Sequence, residues 1–142
     1  MKSAVDTNVI SAIWTAQPEQ HEAKLLLNES HTRGVVVICG IVYAELLAHP
    51  LVKPSLTESF LDAIGIEIDY SLDKAVWREA GIRYRAYSER RRQAKAAGHR
   101  KHVADFVIGT HALLRADRLI TFNGSDFRSD FPELRIAPEP GQ

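Results

Sequence analysis

Four successive β-branched residues, Val35-Val36-Val37-Ile38, constrain this chain more than any other feature. A strand with one wet face alternates apolar and polar residues, so a run without alternation has to be covered on both faces, as in a parallel sheet. Parallel neighbours need long crossover connections, usually helices. The remaining sequence is read most economically as supplying them.

Ala4-Val5 predicts a first strand ending on Asp6, followed by a helix from Asn8 to Trp14 capped by Thr7 or Asn8. Pro18 opens a second helix, with Glu19 and Glu22 at the favourable end of its dipole and Leu26 and Leu27 facing inward. Ile41, Ala44, Leu47 and Ala48 fall at helical spacing between Ile41 and His49, and Glu45 interrupts that apolar neighbourhood. A helix over Leu56–Ile64 starts from a Ser55/Glu58 capping box, and Ile66-Glu67-Ile68-Asp69 alternates like a short strand. Leu72, Val76, Ala80 and Tyr84 form the stripe of the longest helix, with Arg78, Arg85 and Arg92 on its other side. Ala104–Leu114 is a further helix with Asp105 near its start. Arg118–Phe122 reads as a strand, Asn123-Gly124 as a turn and Leu134-Arg135-Ile136 as a last strand. The expected class is α/β: one domain over residues 1–137, a central parallel sheet of about five short strands with helices on both faces, and a loose tail over 138–142.

The chain has 142 residues, enough for one sizeable core. A single cysteine, Cys39, excludes an internal disulfide framework and a cysteine-rich zinc site, and a packing role after a buried strand is its expected one. No apolar run approaches the roughly 20 residues of a membrane span, and the start lacks a signal-peptide pattern, so a cytoplasmic protein without a membrane partner is expected. Net charge is zero but unevenly spread: Arg78–Lys101 holds 9 of the 18 Lys and Arg against 2 of the 18 Asp and Glu. Such a segment is either the footprint of a polyanion or a solvated helix face. The six histidines include no zinc-like pairing with Cys39; His99 and His102 flank the basic segment.

Four acids stand out by position. Asp6 follows the first strand, Glu45 lies on an apolar helix, Asp105 opens the late helix, and Asp126 follows the strand ending in Thr121-Phe122. In a doubly wound sheet the carboxyl ends of the strands form one edge, where ligands collect. Each acid also has a simpler reading as a helix cap, buried ion-pair partner, dipole residue or turn residue. Gathered together, four carboxylates repel unless a cation offsets them, and Mg2+ or Mn2+ suits oxygen donors.

Val5-Asp6-Thr7-Asn8, Ala44-Glu45-Leu46, Ala104-Asp105 with Val107–Ala112, and Leu119–Phe127 resemble, in order, the motifs of the PIN-domain ribonucleases, in particular the VapC-like toxins of bacterial toxin–antitoxin pairs. The resemblance runs to about Ile136. It implies a metal-dependent endoribonuclease that hydrolyses RNA phosphodiester bonds, is held inactive by a cognate antitoxin and forms a homodimer. Asp6, Glu45 and Asp105 match the first three family acids. Many relatives carry an acid two residues after the strand-terminal Thr, where this chain has Asn123, so Asp126 is assigned as the fourth. The implied metal ligands are Asp6 and Asp105, with Glu45 and Asp126 acting directly or through water. Thr7, Asn8, Thr121 and Asn123 are supporting residues, and Arg85, Arg90, Arg91, Arg92 and Lys95 are expected to bind RNA. Two other functions compete. A haloacid-dehalogenase-like phosphatase would need a second Asp at Asn8. A noncatalytic PIN-like module binding RNA or protein is favoured by Asn123.

Overall fold

The computed structural model describes residues 1–140. Within them the chain runs β1 (Lys2–Val5), α1 (Thr7–Trp14), α2 (Gln20–Arg33), β2 (Val35–Cys39), α3 (Gly40–Leu47), α4 (Pro54–Ala63), β3 (Glu67–Asp69), α5 (Lys74–Gln93), α6 (Val103–Arg115), β4 (Arg118–Ile120), α7 (Gly124–Asp130) and β5 (Ile136–Ala137). All strand pairs are parallel, in the order β3-β2-β1-β4-β5. The protein is α/β, as the unalternating valine run leads one to expect: Val36, Val37, Ile38 and Cys39 are buried, whereas Val35, at the entrance to β2, is exposed.

The strand order turns around at β1. From β1 the chain moves outward through β2 to β3, then returns past both to place β4 on the other side of β1. Right-handed crossovers then put α1–α4 on one face and the later helices on the other. The gap between the ends of β1 and β4 is therefore the switch point of the sheet, where a crevice opens. Asp6 extends the pairing by one residue, donating its N–H to Ile120 O at 2.9 Å.

Two glycines permit close approaches. Gly34 joins α2 to β2 at φ +150°, and a Cβ there would stand 2.1 Å from the Met1 carbonyl. Gly109 in α6 lies under Phe131, where a Cβ would come within 2.4 Å of the ring. Phe131 belongs to an aromatic cluster with Phe106, Phe127, Tyr84 and Tyr87 that fastens α5, α6 and the end of α7 together.

Several element boundaries differ from the sequence expectation. Asp6, not Thr7 or Asn8, caps α1: its backbone is extended and its side chain accepts the Thr7 N–H. α2 begins at Gln20, two residues beyond Pro18. α4 begins at Pro54 after Lys53 without a Ser55/Glu58 box, because proline's fixed φ already suits the first helical position. The buried side of α3 is Val42 and Leu46; of the predicted stripe, Ala44 and Ala48 are exposed, since a helix this apolar leaves its inner face undetermined by pattern. Asn123-Gly124 starts α7 instead of forming an isolated turn. The last strand is shifted to Ile136–Ala137. In the predicted tail, Pro138 is half-buried and its carbonyl accepts from Arg128 at 3.5 Å, while residues 141–142 lie outside the described residues. No described helix is long and apolar enough to cross a membrane.

Candidate active site

Asp6 occupies the switch point, only 6% exposed. Its two carboxylate oxygens have separate duties: Oδ1 accepts the Thr7 N–H at 2.8 Å, and Oδ2 accepts the Thr121 hydroxyl at 2.8 Å. The helix-cap role and a role at the crevice thus coexist in one side chain. Thr121 Oγ1 also accepts the Asn123 N–H at 3.0 Å, while Asn8 Oδ1 accepts the Phe122 N–H at 3.3 Å. These bonds tie the start of α1 to the segment that leaves β4.

Glu45 and Asp105 reach the same crevice from α3 and α6. Glu45 is exposed, not enclosed by apolar neighbours as its sequence context suggests, and its Oε1 accepts the Thr7 hydroxyl at 2.7 Å. Asp105 sits in the first turn of α6, where its carboxylate accepts the His102 N–H at 3.1 Å in a reciprocal cap. Burial raises the Asp6 carboxyl to about 6 from its ordinary 3.8; the bonds from Thr121 and Thr7 oppose the rise, and the negative charges of Glu45 and Asp105 add to it. Two of the other predicted acids, Glu45 and Asp105, therefore act electrostatically on Asp6.

Asp126 stands to one side. With Asp105 and Asn123 it lines a cavity of about 80 Å³ whose other walls include His99, Lys101, Asp130 and the aromatic cluster. Among the described residues, no three His, Cys, Asp or Glu side chains are gathered into a ready-made metal cage. The arrangement is an oxygen-donor rim: one buried carboxylate flanked by two more accessible ones, with a fourth that shares the cavity lining with Asp105.

The basic segment divides into exposed and engaged side chains. Arg92 and Lys95 are exposed, and Lys95 closes the helix at φ +50°. Arg85 pairs with Glu89 along α5 at 3.2 Å. Arg90 binds the Asp130 carboxylate, and Arg91 donates to the carbonyls of Gly98 and His99. Arg90 and Arg91 line a shallow groove that shares Lys101 and Asp130 with the cavity.

Sequence reasoning missed Lys101 and Asp130. Lys101 is four residues before Asp105, but its use depends on α7, which the Asn-Gly pair disguised as a turn. Also unforeseen is the buried His111, whose Nε2 lies 3.1 Å from Asp69 Oδ2; burial lowers its pKa and Asp69 opposes the fall. Cys39 is buried at the end of β2 with its thiol pushed up by burial, as suits a packing residue.

Comparison with curated protein sequences gives no match. Solved structures share the fold at low identity. A chain of VapBC2 from Rickettsia felis, bound to a DNA fragment from its promoter, matches with TM-score 0.61 and 22% identity over 96% of this chain and 97% of that one. VapBC-1 from nontypeable Haemophilus influenzae gives 0.62 and 20%, covering 96% of each chain. FitAcB from Neisseria gonorrhoeae gives 0.62 and 20%, covering 94% of this chain and 95% of the other. The sequence profile of the PIN domain matches residues 4–129, from the middle of β1 nearly to the end of α7. The match includes both sides of the switch point and all four acids, and the chain belongs to the PIN domain family.

Proposed function

We propose that this protein is a metal-dependent endoribonuclease and the toxin of a type II toxin–antitoxin pair. The observation that carries the reading is the placement of Asp6: a carboxylate only 6% exposed at the switch point of the sheet, with Glu45 and Asp105 near enough for their charges to add to the rise of its pKa. A hard divalent cation relieves such a cluster, because it favours the ionised forms that burial and repulsion disfavour. Mg2+ or Mn2+ fits this donor set, since Mg2+ keeps several waters and commonly takes only one or two carboxylates from the protein. Asp6 and Asp105 would hold the ion directly, with Glu45 and Asp126 acting directly or through water. Bound there, the ion would supply charge for the phosphodiester and a more acidic water for the attack.

The chain's own groups prepare the site. The Thr7 hydroxyl holds Glu45 by one oxygen and leaves the other for a water. Thr121 fixes the rotation of Asp6, and Asn8 and Asn123 fix the strand-to-helix segment beside it. Ionised Glu45 can accept a proton from an attacking water. RNA backbone lying along the groove at Arg90 and Arg91, with Arg85, Arg92 and Lys95 around it, would arrive beside the acids, because groove and cavity share Lys101 and Asp130.

The fold likeness to VapBC and FitAcB chains supports a protein antitoxin as partner. An arginine offered by that partner would pair with the acids and compete with metal and substrate. We also propose a homodimer and a cytoplasmic location. A noncatalytic PIN-like module is the second reading, favoured by Asn123 in place of an acid. Incubating the protein with a mixed RNA pool under Mg2+, Mn2+ or chelator separates the two. Metal-dependent cleavage that excess antitoxin suppresses is expected; RNA binding without cleavage under every condition would favour the second reading.

A further inference from the structure

Lys101 does more than neutralise a buried acid. Its side chain is 16% exposed and its ammonium donates to three groups of α7: the Asp126 carbonyl at 2.8 Å, the Ser129 hydroxyl at 3.1 Å and the Asp130 carboxylate at 2.7 Å. The same residue is held from behind, because its backbone N–H donates to the Tyr87 hydroxyl at 2.9 Å and its ammonium lies 5.2 Å from the centre of the Tyr87 ring. Arg90 already supplies a positive charge to Asp130, whose side chain is only 3% exposed. What Lys101 adds is the grip on the first and last turns of α7.

That grip links the two segments that carry the late acids. Lys101 leads into α6 four residues before Asp105, and α7 carries Asp126; both carboxylates line the cavity of which Lys101 is a wall. α7 is a seven-residue helix with no side-chain cap. A helix that short has little stability of its own and takes its orientation from what it is fastened to.

We infer that Lys101 is a positioning residue of the candidate site, orienting α7 so that Asp126 lines the cavity together with Asp105. The inference rests on the proposal that these acids hold a divalent ion together. Lys101 would act through Asp126, as groups behind metal ligands commonly do, with a cost of roughly 10- to 100-fold in metal affinity on removal.

The test is a double-mutant cycle read by Mn2+-induced thermal shift, with Mn2+ alone as the probe. Lys101→Met keeps most of the stem and removes the charge; Asp126→Asn removes the acid it positions. Each should weaken Mn2+ binding by about tenfold, and the double variant should be no weaker than Asp126→Asn alone. A purely structural lysine would lower the metal-free melting temperature and leave Mn2+ affinity unchanged, which overturns the inference. Multiplying losses overturn it too, as does a loss in Lys101→Met with none in Asp126→Asn. If Lys101→Met does not fold, Ser129→Ala removes one acceptor without stranding a charge. It should cost about threefold in Mn2+ affinity, and no loss is the contrary result. Wild-type protein with no Mn2+ shift overturns the metal-site reading itself, and this inference with it; a shift that Lys101→Met retains overturns the inference alone.

Discussion

The Thr121 hydroxyl stands 2.8 Å from Asp6 Oδ2 and accepts the Asn123 N–H at 3.0 Å, so one oxygen joins the ends of β1 and β4 and the start of α7. It donates to the acid and accepts from the backbone, using both halves of its hydrogen-bonding capacity. Because it lowers the Asp6 carboxyl against the pull of burial, it helps keep a buried acid ionisable.

Thr121→Val removes this hydroxyl at constant shape. The loss leaves the Asn123 N–H without its acceptor and should destabilise the fold by about 1–2 kcal/mol. It should also move the acid limb of the cleavage pH profile upward, whereas Thr121→Ser should keep both properties. An unmoved limb in Thr121→Val would show that the hydroxyl does not tune Asp6.

Metal-free stability should carry the signature of Asp6. Its folded carboxyl lies at about 6 against an ordinary 3.8, so between these values the folded state binds more protons than the unfolded chain. The stabilising contribution is complete below about pH 4 and is lost as pH rises through about 6. Asp6→Asn does not titrate. Its stability relative to wild type should therefore increase through that window, by at most about 3 kcal/mol, as urea unfolding at several pH values would measure. A difference independent of pH would contradict the raised carboxyl.

The basic segment should separate by variant. Arg92→Gln with Lys95→Gln removes two exposed charges, so stability should change by less than about 0.5 kcal/mol. If both contact phosphates of single-stranded RNA, the log–log salt slope of binding should fall by about 1.4. Arg90→Gln should lower stability as well, because it withdraws one of the two cations serving Asp130. An unchanged salt slope in the double variant would make that end of α5 a solvated face.

Gly109→Ala tests the packing behind the cavity. The new methyl would collide with the Phe131 ring, and overpacking of this kind costs about 1–3 kcal/mol. Thermal melts should show the loss, and a neutral substitution would mean that the aromatic cluster yields easily.

The sheet was readable because its signals were physical: the unalternating run Val35–Ile38 called for cover on both faces, which Val36–Ile38 have and the exposed Val35 does not, and Asp6 ends a strand leading into a helix. The switch point was legible from strand–helix alternation, and with it the meeting of Asp6, Glu45 and Asp105. Other features were set by tertiary contacts that no local pattern records. Asn123-Gly124 has turn composition, yet the Asn123 carbonyl accepts the Asp126 N–H at 3.0 Å and opens α7. The inner face of α3 was ambiguous because most of that helix is apolar. Lys101 and Arg90 looked like two members of one charge run until Asp130, some 30 to 40 residues downstream, drew both toward α7.

The most direct test of the central claim is the RNA cleavage rate of purified Asp6→Asn at saturating Mn2+, measured beside its metal-free melting temperature. Asn retains the capping oxygen and the size of the side chain while removing one anion from the rim. The rate should fall by about a hundredfold or more, roughly 3 kcal/mol in the barrier, in a protein that melts no lower than wild type at neutral pH. Cleavage at the wild-type rate would contradict it, leaving Asp6 as a helix cap and the acids of the crevice without a part in the chemistry.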